Sequence, residues 1–197
     1  MSFAAVLLAG GGSRRMGRDK AGLAWGGVTL LAHQAATLRA TGASELLVSC
    51  RAEQVAARVA ELGAEFRVVV DVHPDSGPAA ALDDAWRATR ADVLLVLALD
   101  LPRMNAEYLR ELVARAQTLE RSVVPVHSGF FEPLAAAWHR SCLVAFDQVR
   151  HRPVKEICAE LVKRELLVTR EVTDGEGALF ANVNTPEEYE RVVTKGG

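Results

Sequence analysis

Seven apolar residues in succession, Val93-Leu94-Leu95-Val96-Leu97-Ala98-Leu99, run directly into Asp100. A strand without polar alternation is one buried on both faces. Sheets covered on both sides are built from strand–helix–strand units with parallel strands and right-handed crossovers. This stretch therefore predicts helices above and below a central strand. Pro102 keeps Leu101 extended, so the Asp100 carboxylate stands where the strand leaves the sheet.

The flanking chain fits this architecture. Phe3 to Ala9, Leu46 to Val48 and Phe66 to Val70 read as further strands, with helically spaced apolar residues between them. Leu30, Leu31, Ala35 and Leu38 mark a helix from Val28 to Thr41, stopped at Gly42. Val55, Val59 and Leu62 mark the apolar side of the next, closed by Gly63. An Ala-rich helix to about Thr89 follows the turn His73-Pro74-Asp75-Ser76-Gly77-Pro78, and the alternation continues through Leu119. The second half is less regular. There Val123 to Val126, Phe130 to Trp138 and Leu166 to Val172 read as strands. Leu143 to Val149, Val154 to Leu161 and Glu187 to Val193 read as helices. The expectation is one α/β domain over residues 1–197. It has three layers, a Rossmann-like, mostly parallel sheet and an irregular C-terminal half. A chain of 197 residues, half of them hydrophobic, can bury such a core.

Charge and cysteine content narrow the function classes. A net charge of −2 gives no general attraction to nucleic acid or acidic membranes. No apolar run approaches the ~20 residues that span a bilayer. The N-terminal apolar stretch is short, lacks a basic leader and ends in glycines, unlike a signal peptide. Cys50, Cys142 and Cys158 are odd in number, widely spaced and without zinc-site spacing, as expected of reduced thiols in the cytoplasm.

Ligands of open α/β sheets bind beyond the carboxyl ends of the strands. Three groups fall there: the loop after the first strand, Asp71 and Asp100. The loop reads Gly10-Gly11-Gly12-Ser13-Arg14-Arg15-Met16-Gly17-Arg18-Asp19-Lys20. Glycines let a backbone approach a ligand closely, and open N–H groups beside Arg and Lys suit phosphate. With 19 Arg against 4 Lys in the chain, a lysine here is unlike filler. A nucleoside triphosphate is the ligand class this implies. A dinucleotide fold would want an acid after the second strand, where Ser49-Cys50 stand. A P-loop would want Lys-Ser/Thr where Arg18-Asp19 stand. Asp100 suits Mg²⁺, which takes one or two carboxylates together with phosphate oxygens and water.

Leu8-Ala9-Gly10-Gly11-x-Ser13-x-Arg15-Met16-Gly17-x-Asp19-Lys20 resembles the signature loop of the molybdenum cofactor guanylyltransferases. These are nucleotidyltransferases with a nucleotide-diphospho-sugar-transferase-like fold. The likeness continues at Asp71 with Gly77-Pro78, at Leu99-Asp100-Leu101-Pro102, at Glu132-Pro133-Leu134-Ala135-Ala136 and at Asn182-Val183-Asn184-Thr185-Pro186-Glu187-Glu188. Gly10-Gly11 and Asp19-Lys20 favour the guanylyl over the cytidylyl branch. Two positions depart from the pattern. Ala79-Ala80-Ala81 stands for the usual Leu-Ala-Gly, and Ser49 or Cys50 for an Asn after the second strand.

The resemblance implies that GMP passes from GTP to the phosphate of molybdopterin or molybdenum-molybdopterin, releasing pyrophosphate. Leu8, Ala9, Gly10, Gly11, Gly12, Ser13 and Lys20 would line the GTP phosphates. Ser49 and Asp71 would contact guanine or ribose, and Asp71 could instead assist at the metal. Arg15, Lys20 and Asp100 would be catalytic, with Asp100 holding Mg²⁺. Asn182 and Asn184, two apart in an extended segment, point the same way, and their amides suit a pterin. Thr185 would cap the helix that begins at Pro186. Cofactor-biosynthesis proteins and acceptor molybdenum enzymes are the implied protein partners. A cytidylyl- or sugar-phosphate nucleotidyltransferase, or a non-catalytic nucleotide-binding partner, stays open at this stage. Lys20 together with Asp100 argues for catalysis. His127, His139 and His151 show no ligand spacing, and Trp25 and Trp138 read as packing residues.

Overall fold

Val93–Ala98 forms a strand in which every residue is buried. The computed structural model describes residues 2–10, 19–72 and 76–194. Its strands are β1 (Ala4–Leu8), β2 (Ala24–Trp25), β3 (Val28–Thr29), β4 (Glu45–Cys50), β5 (Phe66–Val70), β6 (Val93–Ala98), β7 (Ser122–His127), β8 (Phe130–Phe131), β9 (Ala135–His139) and β10 (Leu167–Glu171). Its helices are α1 (Leu30–Ala40), α2 (Val55–Leu62), α3 (Pro78–Arg87), α4 (Ala106–Leu119), α5 (Leu143–Val149), α6 (Val154–Lys163) and α7 (Pro186–Thr194).

The main sheet runs β10-β7-β9-β6-β1-β4-β5, with β8 hydrogen-bonded to β7. β1 pairs in parallel with both β4 and β6, β4 with β5, and β10 with β7. β9 runs antiparallel between β6 and β7. The period of two along each strand splits its side chains between two cores. Ala5 and Leu7 of β1 and Val93, Leu95 and Leu97 of β6 face a core shared with α1, α4 and Leu62 of α2. Ala4 and Val6 of β1 and Leu94 and Val96 of β6 face one shared with α3, α5 and α6. The sandwich of helices, sheet and helices expected from the sequence is thus present.

Three local expectations shift. The first long helix begins at Leu30, because Thr29 caps it by accepting the Ala32 N–H. The residues before it form the small β2–β3 hairpin. The apolar run from Phe130 to Trp138 is two strands, parted at Glu132-Pro133-Leu134; a proline has no N–H for a ladder. In α2, Val59 is exposed and Arg58 is buried, so the inward stripe passes through Arg58 and Leu62. Gly63 does close this helix, with a positive φ of 72° that disfavours a side chain. Trp138 is fully buried, edge-on to Phe146, and Trp25 packs on the core beside His33. No helix among the described residues is long and apolar enough to cross a membrane.

The segment after β10 is fastened to α4 by charge. Arg170 Nη2 donates to Glu176 Oε1 at 2.6 Å and to Glu111 Oε2 at 3.0 Å, and the guanidinium lies over the Tyr108 ring. Phe180 completes this anchor edge-on to Tyr108. Hydrogen bonding from Arg170 draws the Glu176 carboxyl down from 4.5 to about 2. A carboxyl depressed on folding stabilises the protein above its unfolded value and loses that contribution as pH falls through the folded one. Stability followed by urea unfolding should therefore drop as pH falls from about 4.5 towards 2. Glu176→Gln should be less stable at neutral pH and should flatten that acid limb.

Candidate active site

The register of the parallel strands brings their carboxyl ends to one edge. Leu8 stands level with Ser49 on one side and Ala98 on the other. Beyond the strands, the Leu99 N–H donates to Leu8 O at 3.2 Å and the Ala9 N–H to Ser49 O at 2.8 Å. Gly10 and Asp100 consequently leave neighbouring strands side by side. A Cβ on Gly10 would come to 3.3 Å from Cys50 Cα, a tight approach that a side chain could take only if β4 gave way by a few tenths of an ångström. Gly11, Gly12, Ser13 and Arg15 lie outside the described residues.

The chain returns at Asp19. Its Oδ1 accepts the Ala21 N–H at 3.0 Å, capping a single 3₁₀ turn, Lys20–Gly22. From this turn Lys20 reaches across the sheet edge. Its Nζ donates to Asn184 Oδ1 at 2.8 Å and lies 3.9 Å from Asp100 Oδ2. The glycine loop, the central strand and the C-terminal motif, up to 164 positions apart in sequence, thus meet at one ammonium. Burial pushes the Asp100 carboxyl above its usual range, and Glu188 adds to that; Lys20 and a backbone hydrogen bond pull it back. A cation at the carboxylate relieves the cost of burial.

Backbone contacts fix the Asp100 turn from both sides. Val183 N–H donates to Asp100 O at 2.9 Å, tying the Asn segment to it. Gln34 of α1, fully buried, donates through Nε2 to Leu101 O at 2.7 Å and to Ala98 O at 3.4 Å. Asn182 is exposed, Val183 is buried and Asn184 is half-buried, an alternation in a segment that belongs to no strand. Thr185 caps α7 through the Glu188 N–H, and Glu188 Oε2 returns the bond to the Asn184 and Thr185 N–H groups. This reciprocal cap holds Asn184 against Lys20.

The remaining candidates stand farther along the edge. Asp71 is carried out by its N–H bond to Cys50 O at 2.9 Å. It lies at the end of β5, three strands from β6, roughly 14 Å at the usual strand spacing. That separation sets it well apart from Asp100. Ser49 is buried in β4, its carbonyl taken by Ala9, so it forms part of the sheet rather than of an open surface. Leu8 and Ala9 form the floor at the β1 exit.

Sequence reasoning passed over the groups that hold this edge from below. Arg51 Nε donates to Gly10 O at 3.0 Å, and Arg58 pairs with Asp19 at 2.7 Å. The signal for Arg58 was present: it is spaced i−4 from Leu62, on the helix's inward face. Gln34 likewise sits among Leu30, Leu31 and Leu38 on the buried side of α1.

A family model, MobA-like NTP transferase domain, matches residues 5–165. A probable molybdenum cofactor guanylyltransferase of Opitutus terrae is 34% identical over 197 residues, which cover 96% of this chain and 94% of that one. The molybdenum cofactor guanylyltransferase of Xanthomonas euvesicatoria is 31% identical over 201 residues, 95% and 93% of the two chains. In three dimensions, the molybdopterin-guanine dinucleotide biosynthesis protein A of Archaeoglobus fulgidus matches with a TM-score of 0.76, 24% identity and coverage of 98% and 97%. A Mycobacterium tuberculosis protein solved with manganese matches at a TM-score of 0.65, 17% identity and coverage of 98% and 99%. These two structures share the fold. Fold, site and relatives define a nucleotidyltransferase. The chain belongs to the MobA-like NTP transferase family and, within it, to the molybdenum cofactor guanylyltransferases.

Gln34→Leu keeps the volume of the side chain but strips two carbonyls at the Asp100 turn of their donor. The substitution also removes the buried Oε1, which has no partner among the described residues, so urea unfolding should show a net loss towards the lower end of the about 1–3 kcal/mol that an unsatisfied buried polar group costs. Unchanged stability would mean that this amide does not anchor the turn.

Proposed function

We propose that this chain transfers GMP from GTP to molybdenum-molybdopterin, forming the guanine dinucleotide cofactor and releasing pyrophosphate. The observation that carries this reading is the junction of Lys20 with Asp100 and Asn184. It joins a triphosphate-binding loop to a metal-binding carboxylate and to an amide-rich segment on the acceptor side. Residues 1–197 are taken as one nucleotidyltransferase domain.

The donor set fits a hard divalent cation. Asp100 offers carboxylate oxygen, and among the described residues no group of three His, Cys, Asp or Glu side chains gathers into a cage. One carboxylate with phosphate oxygens and water is the coordination Mg²⁺ accepts. When bound, the cation neutralises and orients phosphate oxygens. The protein's own residues do the rest by positioning and by charge. Leu8, Ala9, Gly10, Gly11, Gly12 and Ser13 line the phosphates of GTP, with Asp71 and the nearby Ser49 strand at its guanosine end. An oxygen of the acceptor phosphate attacks the α-phosphorus in line. A new P–O bond forms as the bond to the β-phosphate bridging oxygen breaks, and that oxygen leaves on pyrophosphate. Arg15 and Lys20 neutralise the charge building on the leaving group. Asn182 and Asn184 offer amides to the pterin.

Lys20 is pre-placed for this work. It is held by Asn184 and Asp100, so little side-chain freedom remains to be lost when phosphate arrives. The reaction belongs to the cytoplasm in this reading. Cofactor-biosynthesis proteins and molybdenum enzymes are its protein partners, without nucleic acid or membrane.

Pyrophosphate release with GTP, Mg²⁺ and molybdopterin is the direct test. Binding of GTP without release would leave a non-catalytic binding module, and preference for CTP would move the chain to the cytidylyl branch. Asp100→Ala is expected to abolish turnover while retaining much of the nucleotide binding measured by calorimetry; normal turnover in that variant overturns the metal assignment. Lys20→Ala should weaken GTP binding more than GMP binding, and equal losses would count against its phosphate role.

A further inference from the structure

Arg58 is an unusual residue to find on the inner face of a short helix. Only 3% of it is exposed, and charged side chains are rarely buried to that degree unless they are paired. Its Nη2 makes two contacts. One is to Asp19 Oδ2 at 2.7 Å and the other is to Ala9 O at 3.4 Å. These two residues flank the glycine loop, Ala9 where the chain leaves β1 and Asp19 where it rejoins the described fold. One nitrogen of one guanidinium therefore bridges the two ends of the loop. The partner carboxylate caps the turn that presents Lys20.

Helix packing does not require this arginine. Among the described residues its buried Nε has no hydrogen-bond partner, which is a cost. A buried ion pair replaced by apolar side chains of similar volume is often neutral or stabilising. The Asp19 side chain is 43% exposed, so it stays solvated if Arg58 is removed. Closing a loop by a contact between its ends removes chain entropy, and a guanidinium holds a carboxylate and a carbonyl at fixed angles where an ammonium would not.

We propose that Arg58 is a positioning residue of the nucleotide site: it staples the two ends of the glycine loop and, through Asp19, sets the turn from which Lys20 meets the triphosphate. This rests on the reading of that loop as the GTP site. The effect is transmitted, since Arg58 lies beneath the surface on which nucleotide would bind. It bears on the phosphate end of the ligand rather than on the guanosine end, where Asp71 stands.

The test compares Arg58→Met, Arg58→Lys and the unaltered protein. Calorimetry with GTP and with GMP, each with Mg²⁺, gives the affinities, and amide hydrogen exchange in the absence of nucleotide gives the local order. Arg58→Met should bind GTP about tenfold more weakly, the scale of a lost charge-assisted hydrogen bond. GMP affinity and the thermal midpoint should change little. Exchange at the Ala21 N–H should accelerate selectively, while α4 and β10 exchange as before. Arg58→Lys, which keeps the charge without the fork, should recover only part of the GTP affinity. GTP binding unchanged in Arg58→Met, equal loss of GTP and GMP, or acceleration of exchange throughout the fold would each overturn the proposal. Absence of GTP binding by the unaltered protein would instead overturn the assignment of the loop. The exchange at Ala21 separates the two, because it reads the staple without any ligand.

Discussion

The parallel pairing of β1 with both β4 and β6 is the constraint on which the rest of this protein depends. Parallel strands in register end together, and their last residues share one edge. Leu8 level with Ala98 brings the exit of β1 beside that of β6, where Asp100 follows, and Leu8 level with Ser49 brings Gly10 within reach of Arg51. A shift by one residue would turn Leu7 and Leu97 towards the opposite helix layer. Two separate cores, one on each face, therefore lock the register that assembles the site. Stability and site geometry are set here by the same side chains.

From that edge, charge takes over from packing. Lys20 has only one short turn behind it, and Asp100 is half-covered. Each is costly to hold alone, and each offsets the other. Asn184 supplies the acceptor that aims the ammonium, and Glu188 with Thr185 holds Asn184 by closing the start of α7. The Arg170 anchor then fixes the connection between β10 and this segment. The three parts of the chain that meet here are tied by short-range capping at α7 and by the hydrogen bonds of Arg58 and Arg170.

The antiparallel strand β9 closes the other flank of this edge. It starts at the carboxyl edge, and its lead-in residue Leu134 accepts the Ala98 N–H at 2.7 Å. The run Glu132-Pro133-Leu134 therefore borders Asp100 on the side away from Asp71.

Much of this was legible in the sequence. The strand–helix alternation, the all-apolar β6, the acids at strand ends, the Gly63 stop and the Thr185 cap are local features. Each follows from the dihedral or hydrogen-bonding needs of its own few residues. What the tertiary structure alone decided is which distant groups touch. No periodicity reveals that Lys20 would find Asn184, or that Gln34 would hold the Asp100 turn. The apolar pattern even pointed α2 inward through Val59, whereas the fold turns Arg58 in. The physical reason is that apolar spacing records only which side chains favour burial, while the two partners of the Arg58 guanidinium, the Ala9 carbonyl and the Asp19 carboxylate, come together only once the sheet has formed.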